Sequence, residues 1–253
     1  MANQVALVTG ASRGIGQAIA ERLGREDGMK VILTGRDREA LAAVSAGIPR
    51  SEWIALDLRD VPAAQRLLDY ALDKGGRLDI LVNNAGATRR GRFTDLTDDE
   101  WLDGYSLKLF AAVRLTRLAW PHLTAAKGSV VNIAGVGGRT PGPEFALGGS
   151  VNAALMAVTK SLAETGIADG VRVNAINPGA VRTARLTRRI EAIMKSDGVD
   201  VAEAERRFVL RENVTRIGEP ADIAELTAFL VSPAGSFLQG ALIDSDGGAT
   251  KSL

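Results

Sequence analysis

The first residues able to do chemistry lie at the end of the first apolar run. Thr9-Gly10-Ala11-Ser12-Arg13-Gly14-Ile15-Gly16 follows Val5-Ala6-Leu7-Val8 and precedes a segment of helical period. Glycines here let backbone approach backbone, or a ligand, with no Cβ in the way. The start of the following helix offers free N–H groups, which suit a pyrophosphate. The strand-turn-helix context is what turns a glycine pattern into a reading of dinucleotide binding. More cations follow. Arg36 closes Thr34-Gly35-Arg36, after the second apolar run; Arg89, Arg90 and Arg92 follow the fourth run and Arg139 the fifth. The loops carrying these last four arginines should open at one end of the molecule. They read either as an anionic-substrate site or as solvated loops. His122, the single histidine, sits beside Pro121 and reads as structural; no metal-ligand constellation is present.

Short apolar runs must position these residues. After Val5–Val8 come Val31–Leu33, Trp53–Leu56, Ile80–Val82, Ser129–Ile133, Val171–Ile176 and Ala241–Ile243, with helical segments between them. Strands alternating with helices predict an α/β chain, a doubly wound parallel sheet of seven strands with helices on both faces. Thr97-Asp98-Asp99-Glu100 has capping-box spacing, and Pro220 suits a first helical position. Ala154, Leu155, Val158 and Leu162 form an apolar stripe. The stretch from Thr183 to Asn213 mixes Arg185, Arg188, Arg189, Lys195, Arg206, Arg207 and Arg211 with acids. It reads as a solvated helical insertion or as a lid, since ligands of such sheets sit beyond the carboxyl ends of the strands.

The totals fit one large domain over residues 1–253, with 46% apolar and 24% charged residues. The 31 basic and 30 acidic residues leave a net charge of +1, which gives no electrostatic case for nucleic acid. Cysteine is absent, so disulfide and thiolate chemistry is excluded. Met1-Ala2-Asn3-Gln4 lacks the basic and apolar regions of a signal peptide, and no apolar run suits a membrane span. The expectation is a cytoplasmic protein acting on a small molecule.

The glycine spacing resembles that of the short-chain dehydrogenase/reductase family. The resemblance continues through Asp57-Leu58, Asn83-Asn84-Ala85-Gly86, Asn177-Pro178-Gly179 and Asp246-Gly247-Gly248. It implies a Rossmann-type fold and cofactor contacts from Gly10, Ser12, Arg13, Gly14, Ile15 and Gly16. Asp57, with Leu58, would meet the adenine; Asn83, Ala85 and Gly86 would line the cofactor; Pro178, Gly179 and Thr183 would border the nicotinamide. Arg13 and Arg36 favour NADP(H) over NAD(H), because forked guanidinium groups suit a 2′-phosphate. Asp37 leaves room for NAD(H). A homotetramer or homodimer, packed partly through the helix from Asn152 to Ala163, is implied as well.

The family's catalytic positions differ here. Matched through their flanks, the tyrosine position falls on Gly148, the lysine on Asn152, the serine on Gly135 and the asparagine on Lys108. The only tyrosines, Tyr70 and Tyr105, do not precede a lysine by four. Lys108 is the candidate substitute: an ammonium with a lowered pKa, acting as acid, as electrophile or as a partner for a substrate carboxylate. Its alternative is a lysine that pairs with a neighbouring acid or turns to solvent. Ser150, Asn152 and Glu144 are near, and Phe145 is expected to line the pocket. Three functions follow: an NADP(H)-dependent oxidoreductase with a non-standard site, a nucleotide-binding protein without turnover, and a non-redox enzyme using Lys108.

Overall fold

Strand β1, Val5–Thr9, is buried at every position and sends alternate side chains to opposite faces. Ala6 and Val8 join one apolar cluster, with Ile19, Leu23, Leu41 and Ile223. Val5 and Leu7 join the other, with Leu67, Leu115 and Leu123. That period-two division is what a sheet covered on both faces requires. The computed structural model describes residues 3–251, apart from the side chain of Glu26. Met1 and Ala2 of the leading segment lie outside the described residues.

The other strands are β2 (Lys30–Gly35), β3 (Ser51–Ala55), β4 (Ile80–Asn83), β5 (Ser129–Ile133), β6 (Arg172–Pro178) and β7 (Leu242–Ser245). All pair in parallel in the order β3-β2-β1-β4-β5-β6-β7. The seven strands fall where the apolar runs stand. β3 starts two residues before its run, at Ser51. It is an edge strand and only partly buried throughout, so its start carries no apolar signature.

The helices are α1 (Gly14–Glu21), α2 (Arg38–Ala46), α3 (Ala63–Gly75), α4 (Asp98–Tyr105), α5 (Ala111–Ala126), α6 (Ala146–Asp169), α7 (Ala184–Asp197), α8 (Val201–Glu212) and α9 (Pro220–Val231). Thr97 and Glu100 form the expected capping box on α4, and Pro220 opens α9. Between α4 and α5 the chain runs through a π-helical turn, Ser106–Phe110. Such turns insert extra backbone into a helix and re-aim its side chains; Lys108 sits within this one. The basic stretch after β6 folds as α7 and α8, closed on an apolar cluster of Leu186, Ile190, Ala204, Phe208 and Ile217.

Candidate active site

The sheet order reverses between β1 and β4, and both strands end at the same crevice. Sites in open α/β sheets form at that switch point. Thr9 laces the two ends together: its hydroxyl donates to Val82 O (3.2 Å) and accepts from the N–H of Asn84 (2.9 Å) and of Ala85 (3.0 Å). Asn84 Nδ2 donates back to Thr9 O (2.9 Å) and Gly10 O (3.2 Å). The glycine turn is therefore held from β4 before any ligand arrives.

Its glycines are required by contact as well as by conformation. A Cβ on Gly16 would stand 2.3 Å from Gly10 O, and Gly14 has a left-handed φ of +58°. Ser12 Oγ lies 3.3 Å from the Cβ position of Gly35, which brings the turn onto the end of β2. Arg13 and Arg36, each next in sequence to that contact, are both exposed. Arg36 reaches only a loose 3.7 Å pairing with Asp57. Asp57 also accepts from the N–H of Arg59 (3.1 Å). A cradle free of side chains, with guanidinium groups at its far edge, fits a phosphorylated dinucleotide.

The side chains of two expected cofactor neighbours point into the interior. Leu58 is buried in the apolar core, and its carbonyl accepts from Arg114 (2.9 Å). The Asn83 amide points into the sheet, donating to Thr116 Oγ1 (3.0 Å) and Asn132 Oδ1 (2.9 Å). Asn132 continues to Thr159 Oγ1 on α6 (2.9 Å). Asn83 thus belongs to a buried polar chain tying β4 to β5 and α6, where each satisfied bond avoids a desolvation penalty. Ala85 and Gly86 do border the crevice, with Gly86 under Lys108: a Cβ there would meet the lysine Cδ at 2.9 Å.

At the other side Gly179 packs on Asp246, its Cβ position 2.7 Å from the aspartate Cβ. Asp246 accepts from the N–H of Gly248 (2.9 Å) and of Thr250 (2.7 Å) within its own loop, and the Gly179 N–H donates to Ser245 O (3.1 Å), so the segments after β6 and β7 brace one another. Thr183 stands at the N-cap position of α7, its hydroxyl donating to Val181 O (3.3 Å) and its methyl group 3.3 Å from the Cβ position of Gly14. The first turn of α7 therefore stands at the lip of the glycine turn.

The pocket segment is filled in an unusual way. A Cβ on Gly148 would lie 2.2 to 2.8 Å from ring atoms of Phe145, and one on Gly137 would lie 2.4 Å from the same ring. The two glycines sandwich the phenyl ring. Gly135, with φ +147°, makes room for Asn152, whose Nδ2 lies 2.8 Å from its Cβ position. Asn152 is buried, and its Oδ1 has no hydrogen-bond partner. Ser150 Oγ donates to Leu147 O (2.9 Å) and faces its own helix.

Lys108 remains as the titratable group at this point. Its Nζ donates to Ala134 O at 2.6 Å. Burial, and secondarily the positive charge of Arg185, push the ammonium down to about 7. Of the loop arginines, Arg89 pairs with Glu100, and Arg139 pairs with Asp244 (3.0 Å), so neither is free for a ligand. Arg90 lies over the face of Phe145, 4.5 Å from the ring centroid. Arg185, which the sequence places in the basic stretch read as a helical insertion or a lid, lies close enough to Lys108 for its charge to act on it. Among the described residues, no group of three His, Cys, Asp or Glu side chains could hold a metal ion, and no helix is long and apolar enough to cross a membrane.

This fold and crevice define a dinucleotide-binding protein of the Rossmann type. The chain belongs to the short-chain dehydrogenase/reductase family, an oxidoreductase family. Residues 10–250 match the family pattern described as "Enoyl-(Acyl carrier protein) reductase". The meso-2,3-butanediol dehydrogenase of Serratia marcescens is 32% identical over 252 residues, covering 99% of this chain and 96% of that protein. L-sorbose reductase of Gluconobacter frateurii, solved with NADPH and L-sorbose, superposes with a TM-score of 0.93 at 29% identity, covering 99% of this chain and 97% of that one. An NADPH-bound short-chain oxidoreductase of Pseudomonas aeruginosa PAO1, described as containing an atypical catalytic center, superposes with a TM-score of 0.91 at 29% identity. That superposition covers 100% of this chain and 99% of the other.

Proposed function

We propose that this protein is an NADP(H)-dependent reductase of a small, anionic carbonyl compound, with Lys108 in the place of the family's usual proton donor. The observation that carries the reading is the placement of Lys108. A π-helical turn aims its ammonium at the crevice, one carbonyl anchors it, and its pKa lies near working pH. A general acid is most useful when its pKa is close to the operating pH. Structural neighbours solved with NADPH, one of them with an atypical catalytic center, support the cofactor and the non-standard site.

The chain's own groups divide the work. The glycine turn and α1 receive the pyrophosphate; Arg13 and Arg36 receive a 2′-phosphate; Thr183 and the Pro178-Gly179 corner border the nicotinamide. NADPH, when bound, supplies a hydride to the carbonyl carbon and leaves as NADP⁺. Lys108 Nζ, which keeps two further N–H bonds beyond the one given to Ala134 O, donates a proton to the carbonyl oxygen. The C=O π bond is replaced by C–H and O–H bonds, and the neutral amine regains its proton from water. Phe145 keeps that corner apolar and shields it from water.

The second reading, a nucleotide-binding protein without turnover, is favoured by the Phe145 ring standing where a side chain at position 148 would reach into the pocket. One experiment separates the two. NADPH binding is followed by fluorescence, and NADPH oxidation is measured over a panel of carbonyl and imine compounds, for the wild type and Lys108→Ala. Turnover lost in the variant supports the reductase. Tight binding with no turnover on any compound supports the second reading, and unchanged turnover in Lys108→Ala removes the role given to Lys108.

A further inference from the structure

The arginines that follow β4, β5 and β6 differ in how they are engaged. Arg89, Arg139, Arg182 and Arg189 each hold a carboxylate: Glu100, Asp244, Glu205 with Glu219, and Glu212. Arg90 and Arg185 form no ion pair with any described residue. Arg90 holds its guanidinium over Phe145, with Cζ 4.5 Å from the ring centroid. Stacking of this kind fixes an arginine fork in advance of a ligand. Phe145 is itself clamped between Gly137 and Gly148, so the platform cannot slide. Arg185 stands on the first turn of α7, just past the Thr183 contact with Gly14. It is close enough to both Arg90 and Lys108 that its charge disfavours the protonated form of each. Glu212 and Glu144 are the acids that face Arg90, and Glu212 is already taken by Arg189.

We infer that Arg90 and Arg185 form a carboxylate clamp beside Phe145, so that the substrate is an oxo acid held by its carboxylate with its carbonyl oxygen turned to Lys108. This rests on the reductase reading above. Like charges that no carboxylate pairs with are unfavourable alone and become favourable when an anion enters. A planar carboxylate matches the guanidinium fork in a bidentate manner. The cofactor's phosphates already have the glycine turn, Arg13 and Arg36.

The test uses the full chain loaded with NADP⁺ and titration calorimetry. The probes are 2-oxobutyrate and 4-oxopentanoate, their methyl esters, and inorganic phosphate. The expected result is that at least one acid binds ten or more times tighter than its ester. Arg90→Ala and Arg185→Ala should each weaken that acid at least tenfold and leave the ester unchanged. Arg90→Lys should recover only part of the loss, because it restores charge without the fork. NADP⁺ affinity and melting temperature should stay at wild-type values, which separates a binding role from a folding defect. Equal affinity for acids and esters, or none for either, overturns the clamp, as does phosphate binding tighter than both acids. A fall in NADP⁺ affinity in Arg185→Ala reassigns that arginine to the cofactor and also overturns it. Failure of the wild type to bind NADP⁺ removes the reductase reading itself, and the clamp with it.

Discussion

Gly148→Ala should destabilise this protein, although alanine is the better helix former. Position 148 lies in the first turn of α6, where replacing glycine gains ~1 kcal/mol of helix propensity. Against this, the new Cβ would stand 2.2, 2.3 and 2.8 Å from three atoms of the Phe145 ring. The ring must retreat by more than 1 Å to reach ordinary contact at about 3.5 Å. It has nowhere to go, because Gly137 lies against its other edge and Arg90 covers one face. Overpacking of this kind costs ~1–3 kcal/mol, which outweighs the propensity gain for a net loss of about 1 kcal/mol. Phe145→Ala alone should also destabilise, by removing the packed ring. In the Phe145→Ala background the sign of Gly148→Ala reverses, and the alanine stabilises by up to ~1 kcal/mol. Urea denaturation of the four proteins in this cycle measures the coupling, expected at ~2 kcal/mol. Gly148→Ala stabilising the wild type, or adding independently to Phe145→Ala, would refute the claim that Phe145 occupies this space. By the same reasoning, Gly148→Tyr should be the most destabilised of the series and should not gain activity.

Further predictions test other parts of the site. Lys108 titrates near 7 when folded and at ~10.4 when unfolded, so between these values the unfolded chain binds more protons and stability rises with pH. The wild type should therefore lose stability relative to Lys108→Met as pH falls from about 10 to 7, by at most ~1.4 kcal/mol per pH unit, with no further change below 7. Melting curves across pH 6–10 read this directly, and parallel curves would sink the buried-ammonium assignment. Thr9→Val removes an acceptor for two backbone N–H groups and should cost ~2 kcal/mol by urea denaturation while weakening NADPH binding. Arg13→Ala with Arg36→Ala should lower NADPH affinity at least tenfold and change NADH affinity little; equal losses for both nucleotides would refute their assignment to the 2′-phosphate.

Much of the cofactor half was legible because it is local. The glycine turn, the capping box at Thr97 and Glu100, and Pro220 opening α9 each depend on residues within one turn of chain. The seven strands were legible because most are buried on both faces and read as apolar runs. The start of β3 was not, since an edge strand needs no apolar signature. Asn83 and Leu58 were placed beside the cofactor by resemblance, yet their side chains face the interior; a motif fixes the backbone path and leaves the side-chain direction to packing. The loop arginines were indistinguishable as sequence. Only the fold shows that Glu100 and Asp244 take Arg89 and Arg139, while Arg90 is left stacked on Phe145. The π-helical turn under Lys108 has no sequence signal of its own, and neither has the convergence of Arg185 on the same point.

The central claim is that Lys108 delivers the proton. The pH dependence of kcat/KM for NADPH-dependent carbonyl reduction tests it most directly, run on the wild type and on Lys108→Ala. A donor that titrates at about 7 gives a plateau below that pH and a tenfold fall per unit above it. The alanine variant should be slower by at least a hundredfold at pH 6 and should lose the inflection. A wild-type profile that is flat from pH 6 to 9, or a variant that keeps both rate and inflection, would contradict the account.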